Sequence, residues 1–225
     1  AEAERDGISD YAHFNDFFTR ALKPQARPIS ESPIISPVDG VVSQAGQIKD
    51  SQIFQAKGHH FSISQLLAGE SLEKIENGHF ATIYLAPKDY HRIHMPLDGK
   101  LVSMRYIPGN LFSVNHKTVN KVNGVFARNE RLVCLFDTVF GRVYFIMVGA
   151  IFVGSMETSW QGQITPPYGK VDKVYDYTEK EFELFKGDEL GRFNMGSTVI
   201  MLLPETAPAL KLHSGQELKM GQVII

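Results

Sequence analysis

Apolar residues recur at three- and four-residue spacing near the start of the chain, at Tyr11, Phe14, Phe17, Phe18, Ala21 and Leu22, and Pro24 closes the run. That period predicts one short amphipathic helix over Ser9 to Lys23. After Pro28 the pattern changes to short β-rich runs broken by Pro and Gly: Ile34 to Ile48, His79 to Ala86, Leu101 to Pro108, Arg131 to Thr138, Val143 to Glu157 and Thr198 to Leu203. Runs of this kind predict strands. A second short helix is expected over Ser62 to Leu67, where Ser62 caps the first turn and Ile63, Leu66 and Leu67 share a face. The predicted class is mainly β, of the α+β kind, with few helices.

An internal echo sharpens this picture. Pro37-Val38-Asp39-Gly40-Val41-Val42-Ser43 is answered by Pro96-Leu97-Asp98-Gly99-Lys100-Leu101-Val102-Ser103, and more weakly by Pro167-Tyr168-Gly169-Lys170-Val171. In each, a Pro-led turn feeds a strand, with Gly expected to supply an unusual backbone angle. The expectation is a core of packed sheets made from repeated turn-and-strand units, barrel-like or of the hybrid-motif type. An N-terminal helical segment, 1–28, would precede one domain over 29–225.

Composition narrows the function. The chain has 225 residues, 43% of them hydrophobic, which is enough for a substantial core. A formal charge of −2 without basic clusters makes nucleic acid an unexpected partner. The lone cysteine, Cys134, lies in the apolar run Leu132 to Phe136 and reads as a core residue, with no disulfide framework or thiolate metal cluster. No apolar stretch approaches the roughly 18 residues of a spanning helix, and the opening AEAERDG lacks the form of a signal peptide. Membrane contact is therefore expected to be peripheral, or to come from a segment outside this chain.

Two segments carry candidate chemistry: Asp89-Tyr90-His91-Arg92-Ile93-His94-Met95-Pro96, and Gly191 to Thr198 leading into an apolar run. The three-residue spacing of His91 and His94 leaves ordinary hydrogen-bonded histidines, acid–base catalysis and metal binding all open. Asp39 alone reads as a turn residue, since Asp-Gly pairs favour turns and Asp98 repeats it. Gly196-Ser197 alone reads as a turn before a strand. A serine hydroxyl beside glycine can also reach the carbonyl behind it, and a His with an orienting Asp would activate it.

Seven segments, in order over nearly the whole chain, resemble the phosphatidylserine decarboxylase family: Phe14-Asn15-Asp16-Phe17-Phe18, Pro37-Val38-Asp39-Gly40, Gln55 to His59, Tyr90 to Pro96, Leu111 to Asn115, Phe126 to Arg131, and Met195 to Thr198. The Tyr90 to Pro96 and Asn129-Glu130-Arg131 blocks are the most specific. The resemblance implies a proenzyme that cleaves itself between Gly196 and Ser197 into a large fragment, 1–196, and a small one, 197–225. In the family's scheme the Ser197 hydroxyl attacks the Gly196 carbonyl; the ester eliminates to dehydroalanine, and hydrolysis leaves a pyruvoyl cap. That cap is the covalent cofactor, with neither pyridoxal phosphate nor metal; it forms a Schiff base with phosphatidylserine, releasing carbon dioxide and giving phosphatidylethanolamine. Carried onto this sequence, Asp39 and His94 complete an Asp-His-Ser relay for self-cleavage, and His91 assists decarboxylation.

The resemblance further implies a peripheral protein on the cytoplasmic face of a bacterial inner membrane, with a homodimer left open. Met195 stands where bacterial members usually carry Leu. Phe112 and Val114 read equally as a lipid entrance or as core. The rival readings are a non-catalytic hybrid-fold carrier or binding module, and a zinc peptidase using His91, His94 and the Asp39 turn.

Overall fold

The computed structural model describes residues 2–56, 59–69, 75–151, 155–194 and 197–225. In chain order its elements are α1 (Phe14–Phe18), β1 (Gly40–Gln47), β2 (Gln52–Ala56), β3 (His59–Ser62), α2 (Ile63–Leu66), β4 (His79–Tyr84), β5 (Arg92–His94), β6 (Gly99–Ile107), α3 (His116–Val119), α4 (Val125–Arg128), β7 (Arg131–Thr138), β8 (Gly141–Val148), β9 (Met156–Thr158), β10 (Gly162–Thr165), β11 (Lys173–Asp176), β12 (Glu183–Leu184), β13 (Glu189–Phe193), β14 (Thr198–Leu203) and β15 (Glu217–Leu218). The fold is mainly β, as the run lengths predicted. A nine-stranded antiparallel sheet runs β11-β6-β7-β8-β14-β4-β1-β15, with β12 also on β6; beside it lie the sheet β10-β9-β13-β5 and the hairpin β2-β3. All six residues of β14 are buried, between β8 and β4.

The expected long N-terminal helix is much shorter. The His13 ring accepts the Asp16 N–H at the start of α1, and the helix stops where the Thr19 carbonyl takes the Arg92 guanidinium at 2.9 Å. The residues expected to form its second half pair instead with the chain start, the Lys23 N–H donating to Glu2 and the Glu4 N–H to Ala21. Only Phe18 of α1 is buried, and Phe14 is 64% exposed. Two other expectations are cut by turns. β1 begins at Gly40, not Ile34, and the run from Val143 divides into β8 and β9. The Ser62 cap of α2 is present, its hydroxyl accepting the Gln65 N–H, and Cys134 is fully buried.

The internal echo is architectural. Ile35 N–H donates to Pro96 and His94 N–H to Pro37, so each unit locks the other two residues before its own Pro. Asp39 accepts the Met220 N–H at 2.9 Å, and Asp98 the Lys186 N–H at 2.7 Å. Gly40 pairs with Leu218 and Gly99 with Leu184. The repeat is therefore two interlocked units related by an approximate twofold. Glycine serves it differently from expectation, through close approach rather than unusual angles. A Cβ on Gly40 would lie 2.5 Å from the Tyr84 carbonyl oxygen, and one on Gly169 of the third copy 2.6 Å from the Tyr106 ring. The left-handed angles belong to the partnering turns, at Gly187 (φ 94°) and Gly221 (φ 88°).

Candidate active site

The interlocking brings the candidate segments together. β5 lies on β13, and one step past that pairing the Phe193 N–H donates to the His91 carbonyl at 3.1 Å. A few residues on, the Ser197 carbonyl accepts the Leu85 N–H at 2.8 Å. Phe193 and Ser197 are thus each bonded to the stretch from Leu85 to His94 that holds both histidines. Met195 and Gly196 lie outside the described residues, and with them the predicted cleavage bond.

Ser197 is fully buried, and its hydroxyl has no hydrogen-bond partner among the described residues. His91 is also fully buried. Its Nδ1 faces the Asp89 carbonyl at 2.8 Å, and a nitrogen facing a carbonyl must carry the proton, so Nε2 keeps a free lone pair. That Nε2 likewise has no partner among the described residues. The ring packs on Phe18, centroids 4.1 Å apart. Burial pushes the His91 imidazole down to about 4, the Asp89 carbonyl offsetting this in part. The ring is accordingly neutral at pH 7.

His94 is held by the same logic. Its Nδ1 donates to the Gly187 carbonyl at 2.8 Å, and its Nε2 accepts the Tyr90 hydroxyl at 2.9 Å. The Tyr90 and His94 rings stack with centroids 5.6 Å apart. Burial lowers the His94 imidazole and raises the Tyr90 phenol to about 12.

Asp39 is buried but is bonded to neither histidine. It forms an ion pair with Arg27, Nε to Oδ1 at 2.8 Å and Nη2 to Oδ2 at 2.5 Å, and receives the Met220 N–H and the Lys219 ammonium, the last at 3.2 Å. Burial pushes its carboxyl up, but Arg27 and the Met220 N–H outweigh this and hold it below the usual range. The turn it occupies touches the histidine strand through the His94 N–H bond to Pro37. Asp39 and His94 are thus linked through the His94 N–H bond to Pro37, and His91 and Ser197 through the bonds to Phe193 and Leu85, with no direct hydrogen bond among the described residues from Asp39 to His94 or from His94 to Ser197.

Arg27, Tyr90 and Phe18 hold these groups, and the residue pattern singled out none of them for that role. Tyr90 lay inside the specific block; Arg27 follows no motif, because the partner that defines it is distant in sequence. Of the suggested lipid entrance, Val114 is buried, while Phe112 lies half-buried under the Arg128 guanidinium. Among the described residues no group of three or more His, Cys, Asp or Glu side chains is placed to hold a metal ion.

A family model described as phosphatidylserine decarboxylase matches residues 14–225. Curated relatives include the phosphatidylserine decarboxylase proenzymes of Methylobacillus flagellatus, 55% identical over 92% of this chain and 74% of the relative, and of a Polaromonas species, 52% identical over 99% and 79%. That of Saccharophagus degradans is 52% identical over 100% of this chain and 80% of its own.

Proposed function

The chain belongs to the phosphatidylserine decarboxylase family, and from that premise we propose that it removes the carboxylate of phosphatidylserine with a carbonyl made from its own Ser197. The observation that carries this reading is the Ser197 hydroxyl, buried beside the histidine segment and, like His91 Nε2, without a hydrogen-bond partner among the described residues. Unpaired buried groups are costly and mark places where chemistry or a ligand completes the set. Ser197 also suits a serine-derived group because its carbonyl is anchored by the Leu85 N–H, which would hold the new chain end after cleavage. A pyruvoyl group there supplies an electron sink joined to the substrate amine, the part that pyridoxal phosphate plays elsewhere.

The side chains divide the proton work. His94 Nε2 takes the Ser197 hydroxyl proton once it gives up the Tyr90 hydroxyl, and the Gly187 carbonyl stabilises the imidazolium that forms. Asp39, ionised and paired with Arg27, takes its part in the relay through its turn, whose Pro37 carbonyl accepts the His94 N–H. His91, with its lone pair free, attends the later step at the substrate. Cleavage then divides the chain into 1–196 and 197–225. Because the substrate is a membrane lipid, the protein works peripherally at a bilayer, on the cytoplasmic face of a bacterial inner membrane. The exposed apolar side chains Ile8 and Phe14 in the 1–28 segment support that contact. No helix among the described residues is long and apolar enough to cross a membrane.

The test is decarboxylation of phosphatidylserine by the wild type and by Ser197→Ala. The wild type is expected to release carbon dioxide and to lose activity to hydroxylamine or a hydride reductant. Ser197→Ala is expected to fold, stay whole and be inactive. Activity or cleavage in that variant contradicts the reading, as does activity that depends on added pyridoxal phosphate.

A further inference from the structure

One buried acid near the site has no part in the chemistry above. β7, β8 and β14 are consecutive neighbours, and their registers reach Arg131↔Val148 and Thr198↔Val148. Continued by one position, these registers set Glu130, Gly149 and Ser197 in that order across the sheet, and the Gly149 N–H donates to the Glu130 carbonyl at 2.9 Å, as the first of those two steps requires. Facing residues on neighbouring strands project to the same side, so Glu130 and Ser197 share a face. Two strand spacings of about 4.8 Å put their backbones roughly 10 Å apart. The residue between them has no side chain. A Cβ on Gly149 would stand 3.5 Å from Glu130 Oε2, so the carboxyl group lies over the glycine.

That carboxyl is incompletely paired. Glu130 is 2% exposed; its Oε1 accepts the Tyr106 hydroxyl at 2.5 Å, while its Oε2 is buried with no partner among the described residues. Of the arginines on the neighbouring strands, Arg131 donates to the carbonyls of Gln65, Leu66 and Asn129, and Arg105 pairs with Asp172, leaving its Nε without a partner among the described residues. Burial raises the Glu130 carboxyl above its ordinary range, against the Tyr106 hydrogen bond. A donor brought to Oε2, above all a cationic one, would relieve both the missing hydrogen bond and the buried charge.

We propose that Glu130 is a substrate-binding residue whose Oε2 accepts an N–H of the substrate's amino group, across Gly149 from residue 197, and so selects head groups that carry an amine. The inference rests on the phosphatidylserine reading above. The amino group would sit beside Gly149, where Glu130 Oε2 and Leu111 Cδ2 each come within 3.5 Å of where a Cβ would stand. An aspartate at 130 would fall short of it by one methylene.

The test measures binding of two soluble head groups, glycerophosphoethanolamine and glycerol phosphate, by calorimetry. Only the first carries an amine, and neither has a carboxylate to lose. Processed wild type, Glu130→Gln and Glu130→Asp are compared, with processing scored by intact mass in the same samples. The wild type is expected to prefer the amine-bearing ligand. In both variants that preference should fall at least tenfold, while glycerol phosphate binds all three proteins alike. Glu130→Asp keeps the charge and decides the matter should the Gln variant fold poorly. A wild type without preference, an unchanged preference in the variants, or an equal loss for both ligands overturns the proposal. A processed wild type that releases no carbon dioxide from phosphatidylserine instead contradicts the parent reading.

Discussion

At the scale of single residues, the two imidazoles differ in what their second nitrogen touches. His94 Nε2 is occupied by Tyr90, whereas His91 Nε2 has no partner among the described residues. His94→Ala is therefore expected to block self-cleavage, and His91→Ala to cleave but decarboxylate poorly; gel analysis beside a carbon dioxide assay separates the two. Normal cleavage in both variants contradicts that division. His91 also carries a stability signature. Its folded value, about 4, lies below the ordinary 6.5, so between those values the unfolded chain binds a proton that the folded one refuses. Stability from this group is full above about pH 6.5 and drains as pH falls toward 4, by roughly 3 kcal/mol at most. His94, lowered in the same direction, adds to it. In urea titrations at pH 7 and pH 5, His91→Gln is expected to lose less stability than the wild type on acidification. An equal loss contradicts the assignment.

At the scale of elements, glycine closeness sets the strand contacts. Gly40→Ala places a methyl 2.5 Å from the Tyr84 carbonyl oxygen, backbone that cannot step aside without disturbing the pairing of β1 with β4. A loss of about 1–3 kcal/mol, the usual cost of overpacking, is expected in unfolding titrations, and a neutral result would contradict so close an approach of β1 to β4. Strand runs such as β4, β7 and β14 were legible because their apolar residues face neighbours on both sides. The N-terminal helix was overread. Its three-and-four spacing continues to Leu22, but the Thr19 carbonyl is taken by Arg92 and residues 21–23 by the chain start, and both contacts come from outside the period. The same limit hid Arg27, because no local pattern tells a buried ion pair with Asp39 from a surface arginine.

At the scale of the whole molecule, the twofold echo was legible as repetition but not as interlocking, which depends on returning turns at Gly187 and Gly221 that share no sequence with the repeated units. The candidate site residues were named from the sequence through the combination of segments, since Asp39 and Ser197 taken alone read as turn residues. Their hydrogen-bond partners needed the fold. The fold also sets what is expected of the proposed small fragment. Residues 197–225 supply β14, wholly buried inside the main sheet, and β15 with the Met220 N–H that Asp39 accepts. The two fragments are accordingly expected to elute together on a sizing column in native buffer and to separate only in denaturant. Separation in native buffer contradicts this packing.

The central claim, that Ser197 becomes the cofactor, is tested most directly by intact mass spectrometry of the purified protein under denaturing conditions. The predicted result is two chains, the smaller beginning at position 197 and lighter by one ammonia than the same peptide with an N-terminal serine. Two chains cut elsewhere, a fragment that begins with unmodified serine, or a single whole chain that nevertheless decarboxylates phosphatidylserine would contradict it.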